Sequence, residues 1–468
     1  MTLNFKLGLF IALFSSAIFL NGCGGNSSPD ANTDGSDPAS ADGSRNGPYP
    51  NFKGTDVHGE KNFATLINAY PKAKTTPNLW AGFWWPYKEN GIASSAHGSG
   101  GSPAGKYDAA RGGTTHAQEW EIANHGSKVP KLEGWWGHCN GWCAASALYP
   151  EPNKPVKVNG IEFSIADQKA LLSEAGMSAN ADFFGDRVDY GSDFGTSKWF
   201  DTVPDQYFLV LTNYIGKLNM GVLIDRYTAE QVWNQPLQGY EIQYPKPADY
   251  LGADPAHPDV YRINVTSTIW WAEDGVPPDV QTPPFDFHED YGSGVELFTP
   301  RTLMMEVWLD GPVVFDADGK ITSSGNLIVT RQGDSFYGGA WKMGEGYSSE
   351  FWPDYMWVPH SLSNPTADLD GNFYGNKDVD YKWIVDHIVS GGVDDPTVHP
   401  SPTATPPTPD PSHSPHPTST PTSTPTWNPF PTPTHSPVHT PEPSHTGNPQ
   451  PIPGPTHTLT TASLEDAY

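Results

Sequence analysis

The spacing of apolar positions changes along this chain, and it divides the chain into a helical part and a sheet part. Asp167–Gly176 (DQKALLSEAG) has the composition of a short helix ended by glycine. Pro204–Leu218 predicts a longer one. Tyr207, Leu211, Tyr214, Ile215 and Leu218 form an apolar stripe, Thr202 can cap the start, and Pro204 suits the first turn. Beyond residue 220 the period becomes two. Gly221–Ile224 reads as a strand. In residues 260–271, Tyr261, Ile263, Val265, Ile269 and Trp271 alternate with polar neighbours, as a half-buried antiparallel strand requires. Val313–Phe315, the turn Asp316–Gly319 and Ile321 predict a hairpin, and Asn326–Arg331 and Tyr355–Val358 predict further strands. The fold class expected is α+β, with helices early and an antiparallel sheet later.

Both ends lack such patterning. Lys6 followed by the apolar run Leu7–Leu20 reads as an export leader, too short to span a bilayer comfortably. It ends in Leu20-Asn21-Gly22-Cys23, which resembles the lipobox of bacterial lipoproteins. That implies lipidation at Cys23, export and anchoring at the outer membrane or cell surface, the alternative being plain secretion. The membrane is then reached through the lipid anchor alone. Residues 23–50 read as a flexible Gly/Ser/Asp/Pro tether. Residues 396–468 read as a Pro/Thr/Ser/His-rich extended tail; 19 of residues 401–460 are Pro, and the tail has no Lys or Arg. The folded body is expected at residues 51–395.

Charge narrows the partners. The 468 residues carry 53 acids against 26 bases, a formal charge of −27. Such a surface repels phosphate backbones and suits lysine-rich chains, so nucleic acid is excluded as a general partner. Aromatic content, with 17 Trp, 20 Tyr and 21 Phe, requires a packed body. Three cysteines cannot build a disulfide framework.

The densest chemical signal is Trp135-Trp136-Gly137-His138-Cys139-Asn140-Gly141-Trp142-Cys143-Ala144-Ala145. A Gly-rich lead-in followed by an Ala-rich run puts Cys139 near a helix N-terminus. There the dipole and free N–H groups lower a thiol pKa and can hold an oxyanion. Cys139 is thus either a nucleophile or a small buried residue at a tight turn. Cys143, one turn on, reads as core, and no second cysteine pair supports zinc.

A nucleophile needs a base. The candidates downstream in the body are His257, His288, His360 and His387. His257 leads into the alternating strand and is the chosen base, with Asp225 at a strand end as the orienting carboxylate or a turn acid paired with Arg226. Gln118 and His125 upstream are candidates to line the oxyanion site, and Asn140, Trp136 and Trp142 to line the groove, the tryptophans excluding water. Asp368–Asn372 resembles the start of a calcium loop, but Phe373 stands where Gly is needed and no Glu closes it. No cofactor is expected.

Residues 232–244 read VWNQPLQGYEIQY. Val232-Trp233-Asn234-Gln235-Pro236 with Gly239 resembles the elicitor segment of the oomycete cell-wall transglutaminases, and the tract around Cys139 resembles their catalytic-cysteine region. The resemblance to this transglutaminase elicitor family and its bacterial relatives spans roughly residues 80–390. It implies a papain-like core and acyl transfer from a protein glutamine to a lysine amine through a thioester on Cys139. It also implies Asp225 as a recurrent carboxylate and proteins bearing Gln and Lys as partners. The family pattern carries a His where this chain has Phe208, so His257 stands as the substitute base. A peptidase, amidase or deamidase, and a non-catalytic surface binding module, are the competing readings. The segment at 232–236 can equally be structural, with Trp233 buried and Gln235 capping a turn.

Overall fold

The computed structural model describes residues 59–389, apart from 98–99, 186, 188–201, 229–230, 288–296, 330–337, 343–351 and 368–372. The expected leader, tether and tail, His288 and the loop Asp368–Asn372 therefore lie outside the described residues. None of the described helices is long and apolar enough to cross a membrane.

Helices come first and the sheet later, as the change of period requires. Helices α1 (Phe63–Ala69), α2 (Pro103–Ala110), α3 (Ala117–Asn124), α4 (Cys139–Leu148), α5 (Ile165–Gly176), α6 (Pro204–Val210) and α7 (Tyr381–Ile384) accompany thirteen strands among the described residues. These are β1 (Lys72–Lys74), β2 (Val156–Val158), β3 (Ile161–Phe163), β4 (Ala179–Phe184), β5 (Val222–Asp225), β6 (Asn234–Gln243), β7 (Tyr250–Ala253), β8 (Tyr261–Ala272), β9 (Phe298–Leu309), β10 (Val314–Phe315), β11 (Ile321–Ser323), β12 (Ala340–Lys342) and β13 (Met356–Leu362). The main sheet is antiparallel in the order β12-β9-β8-β6-β5-β13-β4, with β1 beside β6 and β7 beside β8.

Alternation buries both faces of the sheet. Val222, Ile224, Met356 and Val358 pack with α1 and α6; Leu223, Tyr355 and Trp357 pack with α4 and α5. In β8, Ile263, Val265, Ile269 and Trp271 share the first face as predicted, while Trp270 covers the second.

Three local expectations are corrected. Helix α6 is α-helical only to Val210 and continues as wide π turns over Leu211–Lys217. Thr212 donates to the Phe208 carbonyl at 2.8 Å and Asn213 to the Leu209 carbonyl at 3.1 Å, drawing off acceptors of the regular ladder. Thr202 does not cap it: Val203 occupies that position, and the Thr202 hydroxyl donates to the Phe184 carbonyl at 2.7 Å. In the predicted strand Asn326–Arg331, Asn326 and Leu327 form only isolated bridges to Asn62 and Leu309, and residues 330–331 lie outside the described residues.

Helices α4 and α5 cross where two glycines meet. A Cβ on Gly141 would lie 2.0 Å from the Ser173 carbonyl oxygen, and one on Gly176 2.0 Å from that of Gly141. This contact brings α5 against the first turn of α4.

Candidate functional site

Cys139 is the first residue of α4, as the change from Gly-rich to Ala-rich sequence predicts. The lead-in is pinned to the preceding tryptophans, with the His138 N–H donating to the Trp84 carbonyl at 2.6 Å. Cys139 is fully buried, and both it and Cys143 are free thiols.

The electrostatics reverse the expectation of a lowered thiol pKa. Burial pushes the Cys139 thiol well above its ordinary value, and Asp274 and Asp225 push it the same way; hydrogen bonding to Asn234 opposes them without prevailing. A helix terminus contributes a partial charge, whereas desolvation acts on the whole thiolate.

Three elements bring the polar groups together. Asp225 ends β5 directly opposite Asn234, which starts β6. Asp225 is a buried strand-end acid, and the charge of Arg226, its partner in the alternative reading, acts on it. Its Oδ1 accepts the Trp233 N–H at 2.8 Å, and the Tyr227 backbone also hydrogen-bonds the carboxylate. Asn234 Oδ1 accepts the Trp357 indole N–H at 2.9 Å, which orients the amide and turns Nδ2 toward the Tyr355 hydroxyl at 3.3 Å. Asp274 follows the end of β8, and Gln235 points its buried side chain toward it. Burial lifts Asp225 to about 7 against the hydrogen bond from Trp233 and the charges of Arg187 and Arg226. Burial likewise lifts Asp274 to about 7 against the charge of Arg226. Arg226 itself is sandwiched among Tyr227, Trp233 and Trp271 at 5.0–5.3 Å. Two carboxyls lifted to about 7, both of whose charges act on the Cys139 thiol, are chemically able to accept a proton near neutral pH.

Asn234 and Gln235 thus carry the elicitor-like segment into the cysteine's surroundings, beyond the turn-capping role that its chemistry alone suggested. Asp274 was missed by sequence reasoning. The available signal was its place two residues beyond a well-predicted strand.

His257 is not in this site. It lies before β8, paired with Asp254 at 3.4 Å. The register Leu237↔Trp271 places Asn234 and Asp225 toward the opposite end of β8, about 33 Å along the strand from Tyr261. His360 pairs with Asp182 at 2.9 Å and His387 stacks on Trp383. Gln118 accepts the Ser102 hydroxyl at 2.5 Å, tying the starts of α2 and α3. Trp142 is core, its indole donating to the Trp80 carbonyl at 3.2 Å, and Trp136 packs edge-on against Trp135. Asn140 follows Cys139 in the first turn, its shielded Oδ1 without a partner.

His138 turns away from the cysteine. Its Nε2 lies 2.7 Å from Glu174 Oε2 and 3.2 Å from Glu121 Oε1, and His125 Nδ1 lies 3.3 Å from Glu121 Oε2. Burial opposes charge on His138, but Glu121 and Glu174 outweigh it and lift the imidazole to about 10. Glu121, His125, His138 and Glu174 offer donor atoms within 4.8 Å of one another, and they are the group among the described residues that could hold a metal ion.

No curated protein sequence matches the chain. Among solved structures, the GP42 transglutaminase from Phytophthora sojae is similar with a TM-score of 0.47 and 20% identity, over 72% of this chain and 94% of that one. Residues 110–249, which include Cys139, Asp225, Asn234 and Gln235, match the family described as transglutaminase elicitor.

Proposed function

We propose that this protein is a protein-glutamine acyltransferase with Cys139 as nucleophile. The observation that carries the reading is the convergence of a helix-start cysteine, Asn234 of the Trp-Asn-Gln-Pro segment and two raised carboxyls, Asp225 and Asp274. Asp274, whose charge acts most strongly on the thiol, takes its proton as the sulfur attacks a glutamine carboxamide carbon. The first-turn N–H groups of α4, which have no intrahelical acceptor, stabilise the oxyanion. The proton returns to the leaving nitrogen, ammonia departs, and a thioester remains. A lysine amine then attacks the thioester, gives up its proton to the carboxyl pair, and releases the isopeptide and the free thiol. Action outside the cytoplasm, with Cys23 as lipid anchor, belongs to the same reading and rests on the leader alone.

The full burial of Cys139 and its raised pKa favour a second reading, a binding module that does no chemistry. The test is incubation of the full chain with a glutamine donor protein and a labelled primary amine, beside Cys139→Ala, followed by mass spectrometry. Amine incorporation lost in the variant is expected. A gain of about one mass unit at glutamine without amine would make it a deamidase, and backbone cleavage a peptidase. No product of any kind from the folded chain would leave the binding module.

A further inference from the structure

The cluster beside the site uses four donors that acyl transfer does not need. Glu121 and His125 stand one turn apart at the end of α3, His138 precedes α4, and Glu174 comes from the last turn of α5. All four are buried, each at 1% exposure or less. We infer that Glu121, His125, His138 and Glu174 bind a zinc ion that fastens α3, α4 and α5 together.

Geometry and donor chemistry carry this. His138 Nδ1 faces the Trp85 carbonyl oxygen at 3.2 Å. A proton there leaves Nε2 as the lone-pair nitrogen, aimed at two carboxylate oxygens, and that backbone contact is the outer support typical of a metal-bound imidazole. His138 Nε2 and Glu174 Oε2 approach to 2.7 Å, yet neither buried atom makes an aligned hydrogen bond. A cation between them satisfies both. Four ligands at about 2.0 Å in a tetrahedron sit roughly 3.3 Å from one another. Three donor separations are already 2.7, 3.2 and 3.3 Å, the latter two to different oxygens of Glu121, and all four donors lie within 4.8 Å, so closing on one ion requires the wider pairs to draw in by up to about 1.5 Å.

The outer shell is built as well. Glu174 Oε1 accepts the Asn376 backbone N–H at 2.5 Å, and Glu121 Oε2 faces the Asn376 amide at 3.4 Å. Tyr87 stacks flat on His125, with 4.1 Å between ring centroids. Gly91 clears the space beside Glu121, since a Cβ there would lie 2.1 Å from Oε1.

Two imidazoles with two carboxylates suit zinc, or manganese or iron as nearest competitors, and not calcium, which takes six to eight oxygens. Two carboxylates balance a divalent ion against two neutral imidazoles. Four protein ligands and no exposed face make the site closed, a structural site. Its consequence for Cys139 is positional, because the ion would clamp the residue immediately before it.

The full chain, expressed in zinc-supplemented medium and passed through a desalting column, would be assayed by elemental analysis. Its melting would be followed with and without a strong chelator, and its zinc edge by X-ray absorption. About one zinc per chain is expected, with a mixed nitrogen and oxygen shell, and a melting temperature at least about 5 °C lower after chelation, restored by zinc. Glu174→Gln should lose the ion. Should that variant not fold, the wild-type shell still decides, because an ion on the tail histidines would have an all-imidazole shell and would not move the melting point. Either that result, or the absence of stoichiometric zinc, manganese and iron with melting indifferent to chelator, would overturn the inference and leave an imidazolium–carboxylate network.

Discussion

His138 and Cys139 are consecutive, yet they face two buried polar clusters of opposite character. On the His138 side, two carboxylates meet two imidazoles, and charge is matched within the cluster. On the Cys139 side, Asp225 and Asp274 crowd a thiol, and the guanidinium of Arg226 only partly compensates them. The matched cluster links the end of α3, the start of α4 and the last turn of α5. The unmatched one keeps protons that its groups would give up in water. Burial is comparable in both, so desolvation alone does not set which groups carry charge. The count of countercharges does, and removing one charge should therefore shift stability in opposite directions on the two sides.

The largest effect expected is on rate. Asp274→Asn should lower amine incorporation about 10²–10⁴-fold, the range for loss of a general base. It should also preserve or raise stability at pH 8, because the amide spares a buried charge. The sign follows from the proton count. Folded Asp225 and Asp274 hold protons up to about 7, against an ordinary 3.8. Their contribution is fully present below about pH 4 and is lost as pH rises through 7, while the proton-accepting form grows over the same range. Rate should therefore rise, and stability from these groups fall, between pH 6 and 8. A rate unchanged by Asp274→Asn, or flat across that range, would remove the carboxyl pair as base.

On the matched side the change should run the other way. Glu174→Gln leaves His138 with one carboxylate and should cost about 3–5 kcal/mol in denaturant unfolding, as breaking a buried pair does. A neutral or stabilising result would erase the distinction between the clusters. Gly141→Ala probes what keeps the clusters adjacent. Its methyl would meet the Ser173 carbonyl oxygen and push α5, with Glu174, away from α4. A cost of about 1–3 kcal/mol is expected, with loss of activity following the shift of the helix start.

The sequence made the elements and the place of Cys139 at a helix start legible, but not the residues around it. Alternation at 260–271 and the change of composition at Cys139 are local signals, and both appear in the fold where they were read. The surroundings of Cys139 depend on pairings such as Asp225↔Asn234, set by strand register across a loop that no local pattern encodes. The raised thiol pKa was illegible for the same reason. A helix start is visible in sequence, whereas the depth at which the sheet buries it is not. The Glu121–His125 pair, one turn apart on α3, is a local signal, but its meeting with His138 and Glu174 is not, since these come from other elements and Glu174 is 36 residues beyond His138.

The smallest effect belongs to the residue that sequence reasoning chose as base. His257 sits at the β7–β8 turn, with its backbone N–H donating to Asp254 at 3.0 Å and its ring 3.4 Å from the same carboxylate. The ring is about one quarter exposed, so its pairing contributes about 0–1 kcal/mol. His257→Ala keeps the backbone hydrogen bond and removes only the ring. Amine incorporation should remain within about twofold of wild type, and unfolding free energy within about 1 kcal/mol. The two variants are most informative side by side. A rate that falls with Asp274→Asn and holds with His257→Ala places proton transfer at the end of β8 near Trp271. The reverse pattern would require His257 to reach a thiol from the far end of a twelve-residue strand, and would return the charge around Cys139 to a structural role.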